Sequence, residues 1–527
     1  MRIQTLIVLC LFLAASCSQP PVDVPAASVI DGNAIKAHIE KLASDEMEGR
    51  SPGSKGEELA TAYVSGFYKS IGLKTSFQAV PLVGITPAVS PLKFTGKSTK
   101  TLKYLDDFVA ESKRQQASLS ANAELVFVGY GVVAPEYEWN DFKDSVKGKI
   151  IVVLINDPQV EDQKKFGGKA MTYYGRWTYK FEEAARQGAA GALIVHETEF
   201  AGYGWEVVRG SWSGEQFDMV YPDKGASKVP FQGWVTRDVA AALFKSAGQD
   251  FDDLKKKALQ PDFKPVSLGV KAAVDIKNTT RTIESKNVVG VLEGSQTPDE
   301  YVIFTSHWDH LGVGEPLNGD KIYNGAEDNA SGTAMMMEIA KAFTKLEPKP
   351  KRSVVFLAVT AEEQGLLGSL YYSEMPVFPL NKTLANINID GINLYGRNNN
   401  QIMVVGYGYN TLEDTLREAA APQGRAVIPE QEPEKGFYFR SDQFSLAKKG
   451  VPALYVDSTT VEDSQEYTAN RYHKPSDEYN PNWDMKAAVA DGDLLFQVAL
   501  RVANGDKWPE WKPGAEFKAI REESLKK

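Results

Sequence analysis

From about residue 285 onward the chain repeats one pattern: a short aliphatic run, a polar stretch, then a helical segment. The runs are "NVVGVLEG", "YVIFTSH", "SVVFLAVTAEE", "ANINID", "IMVVGYG" and "PALYVDS". Unbroken Val, Ile and Leu, without polar alternation, suit strands covered on both faces. That condition predicts an α/β fold: a mixed, mainly parallel sheet sandwiched by helices. "SGTAMMMEIAKAFTKL" and "TLEDTLREAAA" carry apolar residues at helical spacing and serve as crossovers. "DMKAAVADGDLLFQVALRVAN" closes the core, and the Met335–Met337 run reads as packing.

In open sheets of this class, sites form beyond the carboxyl ends of the strands. At those positions stand His307 and Asp309, then Glu327 and Asp328 in "YNGAEDNASG", then Glu362 and Glu363, then Asp390. "RYHKPSDEY" adds His473 and Asp477. Taken singly, "AEEQG" reads as a solvated helix start and "EDNAS" as a helix cap. The series at one sheet edge, in a chain with only 5 histidines, points to a metal. Without cysteine, zinc binds imidazole and carboxylate. A pair of ions ~3.5–4 Å apart needs a bridging carboxylate and further ligands on each side. Two histidines and three carboxylates meet that need. His307 and Asp309 share a face of an extended segment, so Asp309 is expected to hold the second ring nitrogen of His307. Glu362 and Glu363 are adjacent and must diverge, one toward metal and the other toward water as general base. His310 points elsewhere, to line the cleft or to pack. His38 and His196 have no such company and receive no role.

The rest of the chain divides by composition. "MRIQTLIVLCLFLAASCSQP" has a basic start, a short apolar run and small residues before a cysteine, which is an export signal. Residues 1–16 read as the signal peptide, Cys17 as a lipidated first residue, and 17–30 as a flexible tether. The protein is thus expected to be exported, as a periplasmic or cell-surface lipoprotein with no other membrane contact. Cys10 and Cys17 are the only cysteines, so the folded body has no disulfide. Residues 31–120 begin with two helical segments, and 121–272 read as a separate β-rich α/β insert. Residues 273–507 carry the sheet described above, and the charged tail 508–527 reads as a solvated end. A net charge of −10 argues against a nucleic-acid partner.

"HWDHLG", "NGAEDNASG", "AEEQGLLGS", "NINIDGI", "RSDQFSLAKKGVPAL" and "YHKPSDEY", in that order, resemble the zinc aminopeptidase family of aminopeptidase Y and bacterial leucyl aminopeptidase. The segment "KLASDEMEGRSPGSKGEELATAYVSGFYKSIGLK" is similar to the family's leading segment, so the catalytic domain is expected to be split. The insert resembles a protease-associated domain. The resemblance implies two Zn2+ per chain, one held by His307 and Asp390, the other by Glu363 and His473, with Asp328 bridging. It makes Glu362 the catalytic base and Tyr472 the stabiliser of the oxyanion, with Asp309 and Asp477 orienting groups behind the ligands. It also implies a cis peptide at Asp328–Asn329. The substrate would be a peptide with a free N-terminus, cut by a water activated at the zinc pair. Glu327 replaces a commoner Asp, and Gln443 stands where many members carry His. Alternatives on the same fold are a glutamate-carboxypeptidase-like enzyme, for which Arg440 is a candidate carboxylate contact, and a glutaminyl-cyclase-like enzyme with one zinc. Trp205 and Trp212 in the insert suit either a lid or a core.

Overall fold

The computed structural model describes residues 28–160, 162, 165–397 and 400–526. The predicted signal peptide, Cys17 and nearly all of the tether lie outside the described residues. Two helices open the fold, α1 (Gly32–Leu42) and α2 (Lys55–Ser70). Asp31 caps the first by accepting from the amides of Asn33 and Ala34, and Ser54 caps the second by accepting from Glu57. Among the described residues no helix is long and apolar enough to cross a membrane.

The C-terminal half of the sheet uses the strands that the aliphatic runs predict. Strand β1 (Val266–Leu292) pairs antiparallel with β3 (Arg352–Val359). Strand β2 (Thr297–His307) lies parallel between β3 and β4 (Thr383–Asn388). Strand β5 (Ala453–Asp457) continues the parallel series beside β4. Every residue of β3 and of β4 is buried, which explains the absence of polar alternation. Helices α3 (Gly332–Thr344) and α4 (Lys486–Asn504) join α1 and α2 in covering one face. Met335, Met336 and Met337 are fully buried, as the packing reading expects. Burial of each such side chain is worth about 1.5–3 kcal/mol before entropy is counted. Because β2, β3, β4 and β5 are mutually parallel, their carboxyl ends open on one edge.

β1 is 27 residues long and belongs to both halves of the molecule. Its later part pairs with β3, while Val266–Lys277 pairs with Ser118–Phe127. Beyond that strand the sheet continues through Ile150–Leu154, Gly191–His196 and Gln232–Thr236, all parallel. This part, called the insert below, has its own core, in which Trp212 and the neighbouring Trp205 pack. Trp212 is therefore a core residue of the insert, and the half-buried Trp205 packs against that core.

Residues 508–526 are not a solvated end. Trp511, Phe517 and Arg521 are buried, and the Arg521 guanidinium donates to the carbonyls of Leu380 and Thr383. The many Lys and Glu of this segment conceal three anchoring side chains, which is why its composition misleads.

Candidate metal centre and active site

His307 is the last residue of β2, and its Nε2 faces two carboxylates. Asp328 Oδ1 and Asp390 Oδ1 each lie 3.2 Å away. Asp328 sits on the irregular turn Ala326–Ser331 that leads into α3, and the Asp328–Asn329 peptide is cis, as the resemblance implies. The second oxygen of Asp328 lies 3.3 Å from His473 Nε2, and that nitrogen is 3.0 Å from Glu363 Oε2. One carboxylate thus divides its two oxygens between two trios, His307 with Asp390 and His473 with Glu363. Ligands about 2.0–2.2 Å from a zinc ion at tetrahedral angles stand about 3.4 Å apart, close to these separations. His307, Asp328 and Glu363 offer atoms all within 4.8 Å of one another. A sulfur-free set of imidazoles and carboxylates suits zinc among the borderline metals.

The electrostatics point the same way. Burial alone would discharge His473, but Glu363 and Asp328 outweigh it and push its pKa up to about 10. Burial likewise opposes charge on His307, yet Glu362, Asp390 and Asp328 raise its pKa well above the usual imidazole range. Glu363 is held down to about 2 despite burial, because His473 and His310 face it. Imidazoles forced to carry charge by surrounding carboxylates mark a place where a metal cation competes with the protons. Burial also pushes Asp309 up to about 8 and Asp442 up to about 7. Among the described residues, Asp309 Oδ2, Nε2 of His310 and both carboxylate oxygens of Asp442 are buried without a hydrogen-bond partner. Such orphans gathered at one spot are what a cation site leaves when only protein atoms are counted. The residues present therefore fit a metal pair.

Glu362 diverges from Glu363, as adjacency requires. Its carboxylate lies 3.9 Å from His307 Nε2 and lines the cleft with Asp328, Asp390 and His473. Asp309 acts differently from expectation. The ring Nδ1 of His307 is 3.1 Å from the main-chain oxygen of Asp309, while the Asp309 carboxylate is 3.7 Å away and instead accepts from the Glu362 amide. The chain turns sharply after His307, so the carbonyl reaches the imidazole first and the side chain is freed to place the neighbouring acid. Asp477 accepts from the amides of Glu327 and Asp328, 3.0 Å each, and from the Tyr467 hydroxyl. It thereby clamps the turn that carries Asp328. Tyr472 stacks on the His473 ring, with centroids 3.9 Å apart, and its hydroxyl is 3.4 Å from Arg440 Nη2.

Gln443 is fully buried and donates to the Tyr438 carbonyl, so its side chain does not reach the cleft. Glu327 is held by the Tyr395 hydroxyl and Arg471. His310 packs edge-on to His473, with its Nδ1 toward Glu363 Oε1. His38 meets Tyr63 and Glu338, and His196 meets Tyr203, both away from this centre.

Three participants escaped sequence reasoning. Arg50, between the two leading helices, is fully buried and donates to the carbonyls of Leu42, Trp308, Asn324 and Gly325. Gly325, at φ +58°, allows this approach, since a Cβ there would collide with the Asp328 carbonyl and the His310 ring. Ser211 of the insert brings its hydroxyl to 2.9 Å from His473 Nδ1. Asp442, inside the quoted "RSDQF", lies under the centre. Neither Arg50 nor Ser211 leaves a signal in a single sequence.

Comparison with known proteins follows this geometry. Residues 287–497 match Peptidase family M28. The mouse protein "Aminopeptidase NAALADL1" is 34% identical over 140 residues, 25% of this chain and 17% of that protein. The Caenorhabditis elegans "Glutamate carboxypeptidase 2 homolog" is 26% identical over 324 residues, 52% of this chain and 38% of that protein. The alignments thus span less than two fifths of these relatives' own length. Among solved structures, an aminopeptidase from Aneurinibacillus sp. strain AM-1 superposes with a TM-score of 0.56 at 20% identity, covering 92% of this chain and 95% of that one. BSAP, a zinc aminopeptidase from Bacillus subtilis, gives 0.52 at 18% identity, covering 92% and 97%. These two likenesses establish the fold. The stretch that matches Peptidase family M28, residues 287–497, is the one that carries His307, Asp328, Glu362, Glu363, Asp390 and His473.

Proposed function

We propose that the protein is an exported aminopeptidase that holds two zinc ions, one between His307 and Asp390 and one between Glu363 and His473, with Asp328 shared. The observation that carries this reading is the division of the Asp328 oxygens, 3.2 Å from His307 and 3.3 Å from His473. When bound, the ions would supply Lewis acidity to the scissile carbonyl and bring the pKa of water at the site toward ~7. Glu362, at the cleft wall and attached to neither trio, takes the proton from the attacking water and returns it to the leaving amine. The Tyr472 hydroxyl, anchored beside His473, donates to the oxygen that gains charge. Asp390 and Asp457 line one lobe of the same cleft and offer carboxylate oxygens to a protonated N-terminus. The two superposing bacterial proteins are both aminopeptidases, in accord with this choice of bond. The leader ending in "LAASC" supports export and a lipid anchor at Cys17.

The test is hydrolysis of a panel of aminoacyl-nitroanilides, with and without a chelator, alongside metal counting. Turnover that disappears with the chelator and two metals per chain is expected. Two bound metals with no hydrolysis of any N-terminal bond would overturn the aminopeptidase reading, and a single metal would return the cyclase alternative.

A further inference from the structure

The turn that follows β3 carries Glu362 and Glu363 and ends at the helix Leu367–Glu374. Its backbone is strained at both ends. Ala361 and Leu366 sit at φ +51° and +64°, where the Cβ crowds the neighbouring carbonyl. Hydrogen bonds inside the turn, from the amides of Gly365 and Leu366 to the Glu362 carbonyl, fix its shape. They do not fix where the turn stands against the rest of the molecule. Strained conformations persist only where the surrounding structure over-determines them. From the C-terminal half, the Asp309 carboxylate accepts from the Glu362 amide. A second hold comes from the insert.

Phe217 of the insert donates its amide to Gln364 Oε1 at 2.9 Å, although the two residues are 147 positions apart. Gln364 directly follows Glu363. Phe217 is fully buried and shares a small apolar cluster with Ala361 and Leu367, which bracket the turn. Phe217 is itself well fixed. Its strand, Gln216–Met219, pairs antiparallel with Leu82–Ile85, and the Lys113 ammonium donates to its carbonyl. Leu366 belongs to another apolar cluster, which Met171 of the insert enters beside Phe439, Phe444 and Trp511. The insert therefore meets the turn at two points, and Phe217 supplies the direct hydrogen bond.

Glu362 and Glu363 ride on one short turn, so a shift of the turn displaces both. A misplacement of ~1 Å at a reacting group costs about 10²-fold in rate. We propose that Phe217 is a positioning residue for Glu362 and Glu363, and that its amide and ring set where the turn stands over the candidate metal centre. The insert thereby takes part in the reaction without touching substrate at this point. The inference rests on the roles given above to Glu362 as base and Glu363 as ligand.

The full chain is tested as Phe217→Ala, Phe217→Leu, Gln364→Met and, as a control, Phe244→Ala. Phe244 is fully buried in a separate core of the insert, so its loss removes the same ring without touching the turn. Zinc affinity, melting temperature and kinetics on Ala-Ala-Ala are measured for each. Phe217→Ala and Gln364→Met should lower kcat by about 10–100-fold while KM stays within about twofold. Both should also weaken zinc binding by about tenfold or more. Phe217→Leu should recover most of both losses. Phe244→Ala should lower the melting temperature and leave kcat and zinc affinity at wild-type values. Equal losses of kcat and zinc affinity in Phe217→Ala and Phe244→Ala would reduce Phe217 to a structural residue and overturn the inference. Wild-type zinc affinity in Gln364→Met would overturn it as well, and this variant decides the matter if Phe217→Ala does not fold. A wild type that cleaves no N-terminal bond would remove the aminopeptidase reading, and the zinc titrations would still decide this one.

Discussion

Ser211 Oγ and His473 Nδ1 lie 2.9 Å apart, although the two residues are 262 positions apart in the chain. The insert therefore reaches into the candidate metal centre and holds the ring nitrogen that faces away from Asp328 and Glu363. Partners of this kind set the tautomer and ring orientation of a ligating histidine, and their loss typically costs 10–100-fold in metal affinity. Ser211→Ala is expected to weaken one metal of the pair by about that factor, and Ser211→Thr to restore most of it. Competition titration with a chromophoric chelator reads this directly. Equal affinities in Ser211→Ala and wild type would show that the hydroxyl is a bystander.

Glu362 stands beside the ligands without joining either trio. Glu362→Gln should retain both metals and the melting temperature while kcat falls by about 10²–10⁴-fold. Metal analysis and steady-state kinetics on one preparation check this. Near-normal turnover would remove Glu362 as the base.

Asp477 accepts two amides of the turn that carries Asp328. Asp477→Ala leaves both amides buried without a partner, at a cost of about 1–3 kcal/mol each. The expected outcome is a lower metal content at a given zinc concentration together with a reduced melting temperature. Excess zinc should recover part of the loss, because a ligand bound only to the native state stabilises it by mass action.

Arg50 ties α1, the end of β2 and the Asn324–Gly325 turn through four carbonyls. Arg50→Met removes the donors and leaves the acceptors buried, at a cost of about 1–3 kcal/mol for each carbonyl left without a partner. Arg50→Lys should recover only part, since one ammonium cannot span acceptors placed around a planar fork. Urea unfolding of the metal-free proteins measures the difference without interference from zinc. A change below about 1 kcal/mol would show that water replaces the guanidinium.

The legible part of the fold was the part in which local composition and burial coincide. "SVVFLAV" and "TLANIN" are apolar because both sheet faces are covered, so their strands could be read directly. The strand-end acids and histidines were legible for a related reason: a parallel sheet sends all its carboxyl ends to one edge, so order along the chain implies proximity in space. The tail 508–526 was misread because its charged majority hides Trp511, Phe517 and Arg521. The Asp309 carboxylate was placed on His307 because alternation assumes an extended chain, whereas the backbone turns and offers its carbonyl first.

By itself, the order of residues determined the sheet, the edge at which chemistry gathers, and the side chains able to take a metal there. Only the tertiary structure decided which groups hold that edge together and what faces it. Arg50 reaches Asn324 across 274 positions, and Ser211 arrives from an insert whose sheet runs into the other through the long strand β1. Local preference is set by neighbours in sequence, but a buried guanidinium or hydroxyl is placed by whatever acceptors the packed elements bring within about 3 Å. That information exists only once the chain has folded.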